Sequence, residues 1–461
     1  MLQPLTNPIY ARLFSAQVIA LVGTGLTTVA LALQAYALAG ADAGQVLGTA
    51  LAIKMVAYVI LAPIAGGLAP AVPRRAFLIA LDLARAAIVV CLLFVTEVWQ
   101  IYLLIFLLQA CSAGFTPVFQ ATIPDILKEE KEYTKALSLS RLAYDLESVV
   151  SPVIAAIALT FVSFNALFAA NSVAFLISAI LVFSITLPVS AISIRHSGAF
   201  SQITFGLRAY LRTPRLRGLL AMSMAVAAAG AMVIVNTVVV VRTTLGLGEP
   251  ETALLLAVFG GGSMAAALIM PRVLEHRDDR TVMLAGGWTM VAALFSGTTL
   301  PGFEAMAILW FLLGFGYSAT LLPAGRLLRR SSSDGNLTSY FAAQFALSHA
   351  CFLITYPLAG WLSVAFGLAA AFAVLGTVVL CSTLTACLIW PTDDPSELDH
   401  SHPEFDHTHV HIHDEHHQHG HEGWEGPEPH AHPHSHKPLR HRHAFVIDEH
   451  HPDWPSQART L

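Results

Sequence analysis

Apolar runs of about twenty residues, the length a helix needs to cross the hydrocarbon of a bilayer, recur between Ile9 and Trp390 with short polar connections between them. The pattern predicts twelve spans, at residues 9–38, 45–69, 75–96, 99–121, 140–162, 165–187, 215–241, 252–274, 281–300, 304–327, 337–363 and 367–390. Polar residues inside these spans fall at helical spacing. In the fifth span Ser140, Tyr144, Glu147 and Ser151 make one stripe, and Arg141, Asp145 and Ser148 make the adjacent one. In the eleventh, Gln344, Ser348, Cys351 and Thr355 recur on one side, and His349 is the sole histidine inside a predicted span. The fourth span carries Gln109, Ser112, Thr116 and Gln120, and the first carries Gln17, Thr24, Thr28 and Gln34.

Composition agrees with a chain dissolved in lipid. Of 461 residues, 55% are hydrophobic and 12% charged, against about a quarter charged in an ordinary soluble domain. Basic residues sit in alternate connections: Arg74 and Arg75; Lys128, Lys131 and Lys135; Arg195 to Arg217; Arg272, Arg277 and Arg280; Arg326, Arg329 and Arg330. The other connections offer only Arg242. The positive-inside rule then puts both termini, the longest internal connection and the residues after the last span in the cytoplasm. The N-terminus lacks the basic start and cleavage site of a signal peptide, so the first span is expected to be retained. All five cysteines fall inside predicted spans, where they read as small apolar packers. The charge of −5 with mixed loop charges excludes a nucleic-acid signature. No GxxxxGK[ST] stretch is present and no enzyme machinery is recognisable, so neither ATP hydrolysis nor a resident cofactor is expected.

The connection from Pro188 to Pro214 divides six predicted helices from six, giving residues 1–187 and 215–390 as two bundles, 188–214 as a central loop and 391–461 as a tail. Two matched bundles are the plan of transporters that rock about a midplane site. Weak internal similarity supports it. Gly66-Gly67 followed by Arg74-Arg75 is echoed by Gly261-Gly262 followed by Pro271-Arg272, and Ser151-Pro152 superposes on Tyr356-Pro357 after a shift of 205 residues. The same shift brings His349 onto Tyr144, one turn from Glu147.

A charge in hydrocarbon costs several kcal/mol and calls for a partner or a purpose. Arg141 and Asp145, four residues apart, are placed to neutralise each other. Glu147 has no base at i±3 or i±4, which makes it the candidate cation ligand or proton carrier, and Asp145, two residues away, points to nearly the opposite side of the helix. Lys54, alone in the second span, either takes part in proton coupling or snorkels to an interface. The substrate and proton pathway is therefore expected at Glu147 and His349, with Tyr144, Asp145, Gln109 and Gln344 around them.

Eighteen of the twenty-one histidines lie between His400 and His451. The densest stretch supplies His407, His409, His411, His413, His416, His417, His419 and His421, interleaved with Asp414 and Glu415 and with no cysteine. Neutral imidazoles without thiolates suit nickel, cobalt or zinc better than copper(I). The segment reads as a disordered metal-binding tail; the alternative is a solvated low-complexity stretch.

The first glycine-and-arginine connection resembles the cytoplasmic signature of the major facilitator superfamily, although its expected acid is replaced by Pro70. Asp82 and Arg85 stand either as a substitute gating pair, beside Arg74 and Arg75, or as a neutralising pair. The stretch from Phe115 to Asp125 (FTPVFQATIPD), together with SLSRLAYDLES from Ser138 to Ser148 and the tail, is similar to the NreB-like nickel-resistance permeases of that superfamily. The resemblance implies an all-α integral membrane protein with twelve transmembrane helices in two six-helix bundles, monomeric, in a bacterial cytoplasmic (inner) membrane. It also implies export of a divalent transition metal, nickel first and cobalt second, by proton antiport. The rival expectations are an exporter of an organic molecule or metal chelate whose tail is regulatory, and a metal store whose function lies in the tail.

Overall fold

The structure is a computed structural model that describes residues 2–39, 43–69, 72–188, 199–333, 336–394, 397–402, 405–411, 430–436, 439–447 and 454. Backbone amides and carbonyls have no water to bond inside a bilayer, so a spanning segment has to satisfy them within its own helix. The membrane body is accordingly helical. In the first bundle α1 is Pro8–Ala39, α2 Ala43–Leu68, α3 Arg74–Leu92, α4 Val98–Ile126, α5 Glu130–Leu159 and α6 Phe164–Phe183. A short helix, α7, covers Ala199–Arg212. The second bundle holds α8 at Pro214–Val239, α9 at Glu249–Val273, α10 at Asp279–Gly297, α11 at Phe303–Leu321, α13 at Leu337–Phe366 and α14 at Leu368–Ile389, with the short α12 at Ala324–Arg330.

Twelve of these helices coincide with the predicted spans, and eight are long and apolar enough to cross a membrane by length and composition. The differences are local and have causes. Helix α5 starts ten residues before the predicted 140, because Glu130 and Lys131 lower the hydropathy of a turn that is nonetheless helical. The predicted span 304–327 breaks at Leu322-Pro323 into α11 and α12, since proline provides no backbone N–H to continue the ladder. The central connection, read as a loop, contains α7.

Small residues let backbones approach where the helices pack. Gly262 of α9 abuts the Phe311 carbonyl of α11, and Gly314 of α11 abuts the Phe259 carbonyl of α9, so a Cβ at either would strike backbone. Gly67 of α2 lies against Ile203 of α7, and Gly206 of α7 lies against the Ser339 carbonyl of α13. Helix α7 is thus wedged between elements of both bundles at the end of the molecule that carries Arg74, Arg212 and Arg330, the basic face.

Within the tail read as disordered from composition, the described stretches at 397–402, 405–411, 430–436 and 439–444 are strands. Strands β1 at Glu397–His402 and β4 at Leu439–Ala444 form one antiparallel ladder, and β2 at Phe405–His411 pairs with β3 at His430–His436 in another. The H-x-H alternation has the two-residue period of a strand, which a composition reading ignores. The register sets His407, His409 and His411 opposite His434, His432 and His430. Beyond the strands, Phe445 and Ile447 are each 3% exposed in an apolar cluster of the second bundle.

The paired glycines yield a neighbouring-residue test. Gly262→Ala is expected to destabilise the protein by about 1–3 kcal/mol, since overpacking against a fixed carbonyl cannot relax cheaply. Gly261→Ala, where a Cβ meets nothing within 4 Å, is expected to match the parent. Thermal unfolding in detergent, followed by size-exclusion fluorescence, distinguishes the two.

Candidate functional site

Helix α5 presents its two acids in two directions. Residues two apart are separated by about 200° around a helix, and Asp145 and Glu147 meet different neighbours. Asp145 turns toward α9. Its carboxylate takes a salt bridge from Arg141 at 2.6 Å and a hydrogen bond from the Ser263 hydroxyl at 2.7 Å. The Arg141 guanidinium also donates to the Ser263 oxygen, at 3.1 and 2.9 Å, and lies 5.1 Å from the Tyr317 ring of α11. Asp145 is 5% exposed and Ser263 fully buried. A hydrogen-bonded ionic contact therefore joins the first bundle to the second.

Glu147 turns instead toward α1 and α2. Its Oε1 lies 2.9 Å from the place a Cβ on Gly25 would occupy, so the carboxylate fits against α1 because that residue is glycine. Lys54 of α2 is close enough to act electrostatically on both Glu147 and His349. The Lys54 ammonium stands 5.6 Å from the centre of the Tyr58 ring, and the Tyr58 hydroxyl donates to Gln109 Oε1 at 2.7 Å. Tyr58 meets the His349 ring edge-on at 4.7 Å, and Phe345 lies 4.2 Å from that ring. His349 Nδ1 is 2.7 Å from the Phe345 carbonyl. A carbonyl only accepts, so the proton sits on Nδ1 and the Nε2 lone pair is left to bind a ligand. Tyr144 lies near Gln17, Tyr58 and Glu147. The Gln344 amide is engaged by Tyr210 of α7 and by Ser223 of α8 at 3.1 Å.

Arg74, Arg75, Asp82 and Arg85 bond within the first bundle. Arg74 pairs with Asp125 of α4, and Arg75 bonds the Phe183 carbonyl with its guanidinium 4.7 Å from the ring of the same residue. Asp82 and Arg85 form a buried ion pair. Ser178 of α6 donates to Asp82 at 2.8 Å, and the Arg85 guanidinium sits between the rings of Phe115 and Phe175, at 4.0 and 4.5 Å. Contacts that cross between the bundles at the basic face come from α12 and α13. Arg326 bridges Glu130 at 2.6 Å and Asp279 at 3.0 Å and donates to Thr134 at 3.0 Å. Arg329 donates to the Lys128 carbonyl at 2.7 Å, and Ser339 to the Gly66 carbonyl at 3.3 Å.

Of the histidines expected to hold metal, His407, His409 and His411 fall in β2, whereas His413, His416, His417, His419 and His421 lie outside the described residues. Among the described residues no three His, Cys, Asp or Glu side chains gather in a metal-binding group. Lys54, Tyr58, Ser263 and Arg326 were not anticipated as neighbours of the candidate residues. Lys54 and Glu147 were each legible as unpaired charges in separate spans, and their opposite signs were the available signal.

The α5–α9 contact predicts non-additivity. Asp145→Asn leaves the half-buried Arg141 with its charge uncompensated, a change that costs up to about 3 kcal/mol, and Arg141→Gln in the same chain is expected to recover part of that loss. Melting temperature and membrane yield of the single and double variants measure it. A double variant no more stable than Asp145→Asn contradicts the coupling.

Comparison with known proteins places this arrangement. The family model described as Major Facilitator Superfamily matches residues 13–242 and again 219–447. The uncharacterized MFS-type transporter YfiS of Bacillus subtilis is 22% identical over 331 residues, which cover 70% of this chain and 79% of that protein. Among solved structures, the human organic anion transporter MFSD10 superposes with a TM-score of 0.71 at 11% identity, covering 82% of this chain and 98% of that one. A bacterial homologue of the iron transporter ferroportin, in an outward-facing state, gives 0.68 at 12% identity, with 83% and 98% covered. The E. coli fucose:proton symporter FucP gives 0.63 at 16% identity, with 84% and 99% covered. With two bundles of membrane-spanning helices joined through α5, α9 and α13, and a family model that matches each bundle in turn, this chain belongs to the major facilitator superfamily and is a membrane transporter, not an enzyme.

Proposed function

We propose that this transporter exports a divalent transition metal, nickel foremost and cobalt next, from the cytoplasm of a bacterium in exchange for protons. The observation that carries the reading is Glu147, an acid inside the membrane body that lies against Gly25 and faces Lys54 rather than a partner on its own helix. A carboxylate in that position attracts a cation and gives it up on protonation. His349 adds a neutral nitrogen donor whose tautomer is set by the Phe345 carbonyl, the kind of outer contact that orients metal-binding imidazoles. Both ligands must be deprotonated to bind metal, so proton entry from the opposite side favours release. The positive-inside rule assigns the basic face to the cytoplasm. On this reading the contacts of Arg326 and Arg329 with Glu130, Thr134 and the Lys128 carbonyl hold the two bundles together at the cytoplasmic face.

The histidine-rich residues supply the second support. They begin and end at the basic face, where the cargo is to be collected, and imidazoles without thiolate suit nickel and cobalt. Because affinity alone favours copper(II) over nickel at such ligands, selectivity falls to the membrane site.

One observation favours a second reading. Lys54 beside Tyr58, Phe345 and His349 is an amine framed by aromatic rings, which suits an organic anion or a metal held by an anionic chelator better than a bare cation. The fold likenesses to an organic anion transporter and to a ferroportin homologue do not choose between them, being likenesses of fold alone.

Reconstitution decides. Purified protein in liposomes, with a metal indicator and a pH indicator on opposite sides, is expected to move free nickel with counterflow of protons. Glu147→Gln is expected to lower that flux roughly tenfold or more while the protein stays folded and inserted, since the amide keeps the size and loses the charge. Nickel flux seen solely with a carboxylate chelator present establishes the second reading, and undiminished flux in Glu147→Gln removes that residue from the mechanism.

A further inference from the structure

The end of the chain returns to the membrane body. Phe445 and Ile447 pack into the apolar cluster formed by Tyr210 of α7, Leu216 of α8, Leu327 and Leu328 of α12, and Tyr340 of α13. The Tyr340 hydroxyl donates to the Ile447 carbonyl at 3.4 Å. Phe445 meets the Trp454 ring edge-on at 5.1 Å, and the Arg215 guanidinium lies 4.9 Å from that ring. The start of the same segment is held at the same point. Asp394 lies 3.6 Å from Arg215, is paired with Arg330 of α12, and accepts from the Trp390 indole at 3.2 Å. Arg215 is 2% exposed, so one buried guanidinium contacts both ends of the histidine-bearing segment.

Helix α12 makes this more than an attachment. Its seven residues hold Asp394 through Arg330, grip the first bundle through Arg326 and Arg329, and contribute Leu327 and Leu328 to the cluster that receives Phe445 and Ile447. A helix this short moves as one piece. Contacts on its tail side and on its bundle side therefore rise or fall together. We infer that residues 445–447 and Trp454 are a latch: docked on α7, α8, α12 and α13, they stabilise the arrangement in which the two bundles are closed at the basic face, and their release favours opening there. The surface is built for this occupant, an apolar floor with a buried guanidinium for the tryptophan ring and a tyrosine hydroxyl for one backbone carbonyl. The inference concerns the gate and stands whichever cargo is carried.

Hydrogen–deuterium exchange on the full-length protein in nanodiscs, without added metal, tests it. Phe445→Asp puts a charge into the apolar cluster, and Trp454→Ala removes only the half-buried ring. Both are expected to speed exchange of the amides at 445–447 and, by about tenfold, of those at the basic-face ends of α5 and α9 and in α12, because local opening sets these rates. Core amides at 225–233 are expected to keep the parent rate in Trp454→Ala, which separates opening of the gate from unfolding. Trp454→Phe, retaining an aromatic face for Arg215, is expected to restore slow exchange at all of these sites. If 445–447 are released while α5, α9 and α12 exchange as in the parent, the tail is a passenger and the latch is refuted. Parent exchange at 445–447 already as fast as in Phe445→Asp refutes docking itself.

Discussion

The cost of placing charge in hydrocarbon organises this molecule. A helix that must bond its own backbone leaves its side chains to find partners elsewhere, and an ionised group without one is several kcal/mol out of place. Three charged clusters among the described residues answer that constraint differently. Asp82 and Arg85 close on each other within one helix, with Ser178 and two aromatic rings completing the enclosure, and so stiffen the first bundle. Arg141 and Asp145 also pair within a helix but recruit Ser263 from the other bundle, so the same neutralisation becomes a joint. Glu147 and Lys54 answer from separate helices, and a charge balanced across helices changes whenever those helices move.

That gradation runs from a pair enclosed within one helix to a pair shared between bundles to a pair split between helices. Alternating access needs two packed arrangements, each good enough to persist, rather than a soft continuum. The closed basic face has the marks of one such arrangement. Glycines allow α7 to wedge between α2 and α13, and arginines of α12 reach across to α5. Most of these contacts are hydrogen bonds and ion pairs at the edge of the body, where water can take over the freed groups when they part. The apolar cores of the bundles, including the fully buried Trp310 with its indole bonded to Thr237 at 2.9 Å, need not be disturbed.

The sequence exposed what repeats along one helix and concealed what is assembled from several. Twelve helices at the expected positions follow from apolar run length, eight of them long and apolar enough to span. The Arg141–Asp145 pair follows from i, i+4 spacing, and the divergence of Asp145 from Glu147 follows from 100° per residue. Lys54 and Glu147 could not be joined this way, because spacing rules are silent about a partner 93 positions distant in the chain. Helix α7 escaped because a search for spans passes over an amphipathic helix too short and too basic to be one. The tail misled for another reason. Its histidine content dominates any average, and the few residues that dock it, Phe445, Ile447 and Trp454, are lost among many polar ones.

Because Arg215 meets both Asp394 and Trp454, the intervening residues form a closed loop with both ends held at one guanidinium. Closing such a loop costs only the logarithm of its length, about 0.6 kcal/mol per doubling. Insertions, deletions and side-chain changes between the anchors therefore leave the anchor geometry and the membrane body almost unaware of them. In evolutionary terms the loop is an interchangeable cassette. A lineage can lengthen it or thin its histidines by small steps, while selection on the helices above proceeds independently.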